Sequence, residues 1–389
     1  MKHTFFFVFI IILISCNSSK VTYQSDLNLI KGQTTIVELT ANKGRSRLFI
    51  TPEYQGKIMT SSFNGLPGES NGWINREALA ENNIAGIGGE DRVWITPLGS
   101  QFSFYYQQIN PLNEDNWKVP SALSDEKYEL LNSSTSKVEM TKEFTLTNFK
   151  NTRFNIRVNR TIKILSATEI NKNLQLEFPE NLKFVAFESS HELINVGDKP
   201  WEKNTGLAGI WSAGMYKGTN DMVVIIPLAK NSSKDIIYKY LGELRGDRLQ
   251  VLKNVLLFKA DGKYRSKIGV PNNIAPEIYG CYSKGKKRLT IIQYKKTVSN
   301  SFSNSTVSIQ KEPYKGEVIP IYNNGTMDYS KTDKTSFYEL ETTSPFVELK
   351  PNEKLKHFHR VYHFSGSEKD LNNISEKLLG ISLKDCILK

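Results

Sequence analysis

Cysteine is scarce in this chain: three residues in 389, at positions 16, 281 and 386. So few cannot build a disulfide framework, and no C-x-x-C or other zinc-ligand spacing occurs. Histidine is nearly as sparse, with five residues in all. The sequence has no G-x-G-x-x-G dinucleotide fingerprint, no G-x-S-x-G nucleophile elbow and no repeat of fixed period. Neither a cofactor nor a bound metal is expected. After residue 26 no Pro/Gly/Ser-rich stretch is long enough to separate domains. Long apolar runs are missing too. Phe5 to Ile14 is unbroken for ten residues, against about 20 for a helix that spans a bilayer.

That short run, after Lys2 and His3, reads as the h-region of a signal peptide over residues 1–15. Leu13-Ile-Ser-Cys16 resembles a bacterial lipobox, which implies lipidation of Cys16 and a mature chain beginning there. Acyl chains at about 0.8 kcal/mol per buried methylene would hold such a protein on the membrane. Residues 16–27 read as a polar tether. The residues after Cys16 are Asn-Ser-Ser-Lys rather than an acidic run. Surface-exported bacterial lipoproteins tend to carry acidic residues there, so the lipobox resemblance implies a periplasm-facing location, at the outer membrane.

The net charge is +11 and the isoelectric point about 9.2. The basic residues form short clusters, as in Lys284-Gly-Lys-Lys-Arg288, and elsewhere alternate with acids. This is a solvated basic surface or one that attracts anionic glycans. Export and the absence of a recognition motif argue against nucleic acid.

The texture is β almost throughout. Val158–Ile164, Val223–Ile226 and Leu289–Ile292 read as strands, as does Leu174-Gln-Leu-Glu-Phe178. Turn signals such as Asn64-Gly65, Asp261-Gly262 and Asn324-Gly325 punctuate them. The fold class is all-β, a sandwich or barrel over residues 28–366. Residues 367–389 hold a short helix and tail. Ser367 caps that helix, Leu371, Ile374 and Leu378 repeat at helical spacing, and Gly380 ends it. A second short helix is expected over Asn75 to Glu81.

Five segments carry polar groups that chemistry could use. Tyr338-Glu-Leu-Glu-Thr-Thr-Ser-Pro345 alternates as a strand, so Glu339 and Glu341 share one face. His357, His359 and His363 share a face of the next strand. Gly88-Gly-Glu-Asp-Arg-Val-Trp94 places Arg92 and Trp94 after a flexible glycine pair. Trp201, Trp211 and Tyr216 sit among small residues after Asn195-Val-Gly-Asp198, and either line a cleft or pack two sheets. Arg265 and Lys267 share a strand face that can bind a carboxylate or phosphate.

In their order, these segments resemble the galactose-mutarotase-like supersandwich. Glu341, Pro345 and Leu349-Lys-Pro-Asn-Glu353 stand where aldose epimerases carry a catalytic glutamate before a proline, then a Leu-x-Pro-Gly-Glu type turn. Gly88-Gly89 with Arg92 and Trp94 is similar to the glycine segment that lines their sugar cleft. "Gly-Gly-Glu-Asp-Arg" and "Asp-Gly-Lys-Tyr-Arg-Ser-Lys-Ile-Gly" also resemble a group of uncharacterised Bacteroidetes lipoproteins. The resemblance implies Glu341 as base, with the acid drawn from His191, a C-terminal histidine or Glu339. It implies Arg92, Trp94, Trp211, Arg265, Lys267 and His359 as contacts to a sugar or acidic oligosaccharide. One departure stands out. Aldose epimerases carry a His-x-Tyr-Phe motif after the central turn, and here residues 209–216 read Gly-Ile-Trp-Ser-Ala-Gly-Met-Tyr. The alternative is a non-catalytic glycan binder or an envelope scaffold.

Overall fold

The computed structural model describes residues 21–107, 111–177, 179–229, 237–241, 244–328, 331 and 336–388. The signal segment and Cys16 lie outside them. Two large antiparallel sheets face one another. In spatial order the ten-stranded sheet runs Leu249–Leu252, Val255–Lys259, Val223–Pro227, Ile278–Ser283, Arg288–Tyr294, Lys354–Ser365, Lys183–Asn195, Arg153–Ile164, Lys137–Thr147 and Glu129–Ser133. The six-stranded sheet runs Tyr238–Lys239, Ser266–Pro271, Glu317–Asn323, Phe337–Thr343, Gly209–Lys217 and Arg92–Thr96. A three-stranded sheet, Val37–Ala41, Ser46–Thr51 and Lys57–Ser62, completes the set.

Strand alternation dictates the layers. In Arg153–Ile164, Phe154, Ile156, Val158, Ile162 and Ile164 are all buried, as is Arg160 in phase with them, while the residues that alternate with these are half-buried or exposed. The apolar ones meet Leu340, Ile319 and Ile268 of the smaller sheet in one large core. Each such side chain contributes about 1.5–3 kcal/mol on burial. The far face of the ten-stranded sheet is covered by two helices, Ala167–Leu174 and Glu368–Leu379. The second matches its sequence signals: Ser367 Oγ accepts from Asp370 N at 3.2 Å, and Gly380 adopts φ 66°. Asn75 likewise caps Arg76–Ala80.

Two expectations need correction. Leu174–Phe178 is not a strand. Ser166 and Glu169 form a capping box that starts a helix, with Ile170 and Leu174 buried four apart. Gln175 then turns left-handed at φ 50°, so Leu176 is buried as well. Phe178 lies outside the described residues. The polar tether also ends earlier than residue 27. Thr22 and Ser25 form a reciprocal cap for the helix Tyr23–Ile30, whose Tyr23, Asp26 and Ile30 are buried. No helix among the described residues is long and apolar enough to cross a membrane. Cys281 and Cys386 are free and buried.

Candidate functional site

The six-stranded sheet has two different faces, and register decides which side chain reaches which. Lys267, Tyr322, Glu339 and Met215 form one cross-strand row. Glu341, Ala213 and Arg92 form the next, and Thr343, Trp211 and Trp94 the third. Residues two apart share a face, so Arg92, Trp94, Trp211, Lys267, Glu339 and Glu341 converge on the face turned away from the ten-stranded sheet. A cavity of about 580 Å³ opens there. Arg92, Trp94, Trp211, Arg265, Lys267 and Glu339 line it, and Glu341 lies beneath.

Two carboxyls dominate this site. Glu341 is fully buried, and its Oε2 accepts from Trp211 Nε1 at 2.7 Å. Its Oε1 has no hydrogen-bond partner among the described residues. Arg92 Nη2 donates to Glu339 Oε1 at 2.9 Å, with both side chains nearly buried. Burial pushes the Glu341 carboxyl up to about 8; Lys267, at 3.9 Å, pulls it down and the neighbouring Glu339 pushes it up. Burial and the neighbouring Glu339 thus favour the protonated form of Glu341. Its proton can reach Glu339, the arrangement in which two adjacent carboxyls share one proton. Glu317 is a third buried acid, held by Ser305 Oγ and Tyr240 Oη, and burial raises it too.

The aromatic groups are crowded and partly covered. Trp94 meets Trp211 edge-on at 5.2 Å. The Arg92 guanidinium lies over Trp94 at 4.5 Å and Lys267 Nζ over Trp211 at 4.8 Å. Trp117, stacked on Tyr105 at 4.3 Å, is half-buried at the cavity wall. Sequence reading missed Trp117, Glu317, Tyr240 and Tyr322. Trp117 stands on an irregular segment with no period to read. Tyr322, by contrast, was recoverable from the alternation of its strand.

The histidines are on the other side. Thr342, next to Glu341, points between the sheets, where its Oγ1 meets His357 Nε2 at 2.8 Å and His359 Nδ1 at 3.0 Å. Arg160, His191 and His357 form one cross-strand row in that layer. Arg160 pairs with Asp91, whose Oδ1 also accepts from Ser189 Oγ at 2.7 Å. His191 and His359, expected at the sugar site, are thus fully buried behind the sheet from Glu341. Burial holds the His191 imidazole well below its ordinary value, and Arg160 adds to this. His357 and His359 are pushed down to about 3, mainly by burial. The glycine pair is not in the cavity wall either. Gly88 and Gly89 take φ 83° and 124°, and a Cβ on Gly88 would sit 2.4 Å from Trp73 O. They let the backbone pass closely, and Glu90 and Asp91 turn into the core. Trp201 packs on Phe154. No His/Cys/Asp/Glu group among the described residues is arranged to hold a metal.

This architecture is a galactose mutarotase-like fold. A candidate aldose 1-epimerase from Escherichia coli K12 superposes with TM-score 0.51 at 11% identity, over 85% of this chain and 98% of that one. The Slr1438 protein of Synechocystis sp. PCC 6803 superposes with TM-score 0.53 at 7% identity, over 86% and 96%. A galactose mutarotase-like protein from Lactobacillus casei ATCC 334 gives 0.47 at 10% identity, over 85% and 100%. At such identities the likeness is one of fold. No curated protein matches the sequence. A family of unknown function, DUF6786, matches residues 21–388, and the chain belongs to that family.

Proposed function

We propose that the cavity binds a sugar and that the protein interconverts its anomers, with Glu339 and Glu341 as the proton-transfer pair. The observation that carries this reading is the pairing itself: an Arg92-paired carboxylate beside a wholly buried carboxyl whose burial favours the protonated form, under a wall of indoles. Ring opening needs one group to take the anomeric hydroxyl proton and another to protonate the ring oxygen. Glu339 takes the hydroxyl proton, Glu341 gives its proton to the ring oxygen, and the C1–O5 bond breaks to the open-chain aldehyde. Closure on the other face returns both protons. This replaces the base role first expected of Glu341 with an acid role, and does without a histidine. Arg92, Arg265 and Lys267 at the wall support a preference for an acidic sugar or oligosaccharide.

A second reading, a non-catalytic glycan binder, is favoured by the covering of Trp94 and Trp211 by cations and by the full burial of Glu341. Anomer-exchange NMR on D-glucose, D-galactose and D-glucuronate separates the two. The enzyme reading expects acceleration by the wild type and none by Glu341→Gln, with sugar binding retained. Binding without acceleration in the wild type would establish the second reading. The lipobox-like Leu13–Cys16 supports a lipid-anchored, periplasm-facing protein of the type seen in Bacteroidetes lipoproteins. Mass spectrometry of the mature N-terminus tests this: a triacylated or diacylated Cys16 is expected, and an unmodified residue there contradicts it.

A further inference from the structure

A second cavity, of about 530 Å³, shares no lining residue with the first. It lies where the N-terminal segment closes over one end of the two sheets. Asn71, Arg76, Tyr216, Lys286, Arg288 and Tyr338 are among its walls. Four basic and two acidic side chains line it: Arg76, Lys217, Lys286 and Arg288 against Asp26 and Glu69. Arg76 pairs with Asp26. Glu69 serves two cations at once, Lys286 Nζ at 2.5 Å and Arg288 Nη2 at 3.4 Å. The lining therefore carries an excess of positive charge.

Arg288 is only partly satisfied. It is sandwiched against the Phe63 ring at 5.2 Å, and its buried Nε has no partner among the described residues. A guanidinium taken out of water with its donors unmade costs several kcal/mol, and an anion removes that cost. Asn71 is 2% exposed; its Nδ2 donates to Ser61 Oγ at 2.9 Å, while its Oδ1 accepts from nothing among the described residues. A buried, unused acceptor lining the same cavity as an under-paired guanidinium calls for a ligand with a hydroxyl and a negative charge. The Trp73 indole, packed on Phe337 at 4.5 Å, gives the wall an apolar patch as well.

We propose that this chamber is a second ligand site, taking a polyhydroxy acid of monosaccharide size with its anion on Arg288 and a hydroxyl on Asn71. Its volume is in the range of small-molecule sites. The site stands independently of the sugar cleft, because the two share no residue.

Calorimetry with D-gluconate and with uncharged D-glucitol tests it, gluconate being unable to undergo anomer exchange. Saturable heat is expected for gluconate, at least tenfold weaker for glucitol. Arg288→Gln should weaken gluconate at least tenfold. Asn71→Asp, which keeps the shape of the side chain and adds a repelling charge, should do the same if Arg288→Gln does not fold. Because the sugar cleft also attracts acidic sugars, these titrations are made in a Lys267→Met background, where gluconate binding at this chamber should persist. No saturable heat with gluconate, equal binding of glucitol, or binding that survives in Arg288→Gln or Asn71→Asp would overturn the proposal. So would loss of gluconate binding in Lys267→Met.

Discussion

Glu341 and Thr342 are neighbours on one strand, both wholly buried, yet they belong to opposite worlds. On Thr342's side several polar groups pair with one another, although both His191 nitrogens and His359 Nε2 find no partner among the described residues. Arg160 meets Asp91, His363 Nε2 meets Glu90 Oε1 at 2.9 Å, and two imidazoles share one threonine hydroxyl. On Glu341's side the polar groups border a cavity, and one carboxyl oxygen is left over. The inner face locks two sheets in register. The outer face keeps a proton in reserve. Burial alone does not mark a site; what marks it is an unmet polar atom next to open space.

The largest effects should separate these faces by function. Glu341→Gln and Glu339→Gln should each lower anomer exchange by roughly 10²–10⁴-fold, the usual worth of a positioned acid or base. Changes among the inner histidines should instead appear in stability. Arg160→Met leaves Asp91 buried and unpaired, and should cost about 3–5 kcal/mol in denaturant unfolding. If instead Arg160→Met abolished exchange at unchanged stability, the division of labour would be wrong.

pH sharpens the contrast, because the faces respond with opposite sign. His357 and His359 ionise near 6.5 in the unfolded chain and near 3 in the folded one. Between these values the unfolded state binds protons that the folded state refuses. Stability should therefore fall as pH drops through that window, by about 1.4 kcal/mol per pH unit for each histidine. Replacing both by asparagine should flatten the acid limb of a melting-temperature profile. Glu341 runs the other way. Its carboxyl ionises near 4.5 unfolded and near 8 folded, so the folded state holds the extra proton and stability falls as pH rises. Glu341→Gln should consequently be more stable than wild type at pH 8, while losing activity. A variant less stable than wild type at pH 8 would show that the carboxyl is not held protonated.

Much of this was legible in the sequence, and the failures have physical reasons. Alternation in Phe337–Thr343 put Glu339 and Glu341 on one face, and period-two reading also grouped His357, His359 and His363. Alternation cannot say which face of a strand meets the other sheet. The carboxyls and the histidines were therefore merged into one site when the sheet divides them. The C-terminal helix was readable because Ser367, Leu371, Ile374 and Gly380 agree with one another. The helix Tyr23–Ile30 was not, because half of its eight residues are polar and its burial depends on Phe49, far along the chain. Trp117 reaches the cavity from a segment without regular structure, where spacing carries no direction.

The central claim is that the outer face holds a proton on Glu341 at neutral pH, beside an ion-paired Glu339. Carbon-13 NMR of glutamate side-chain carboxyls, titrated from pH 4 to 10 and assigned through Glu341→Gln, reads this without knowledge of the sugar. The structure predicts one glutamate resonance with a midpoint near 8 that vanishes in the variant. A spectrum in which every glutamate has titrated by pH 6 would contradict it.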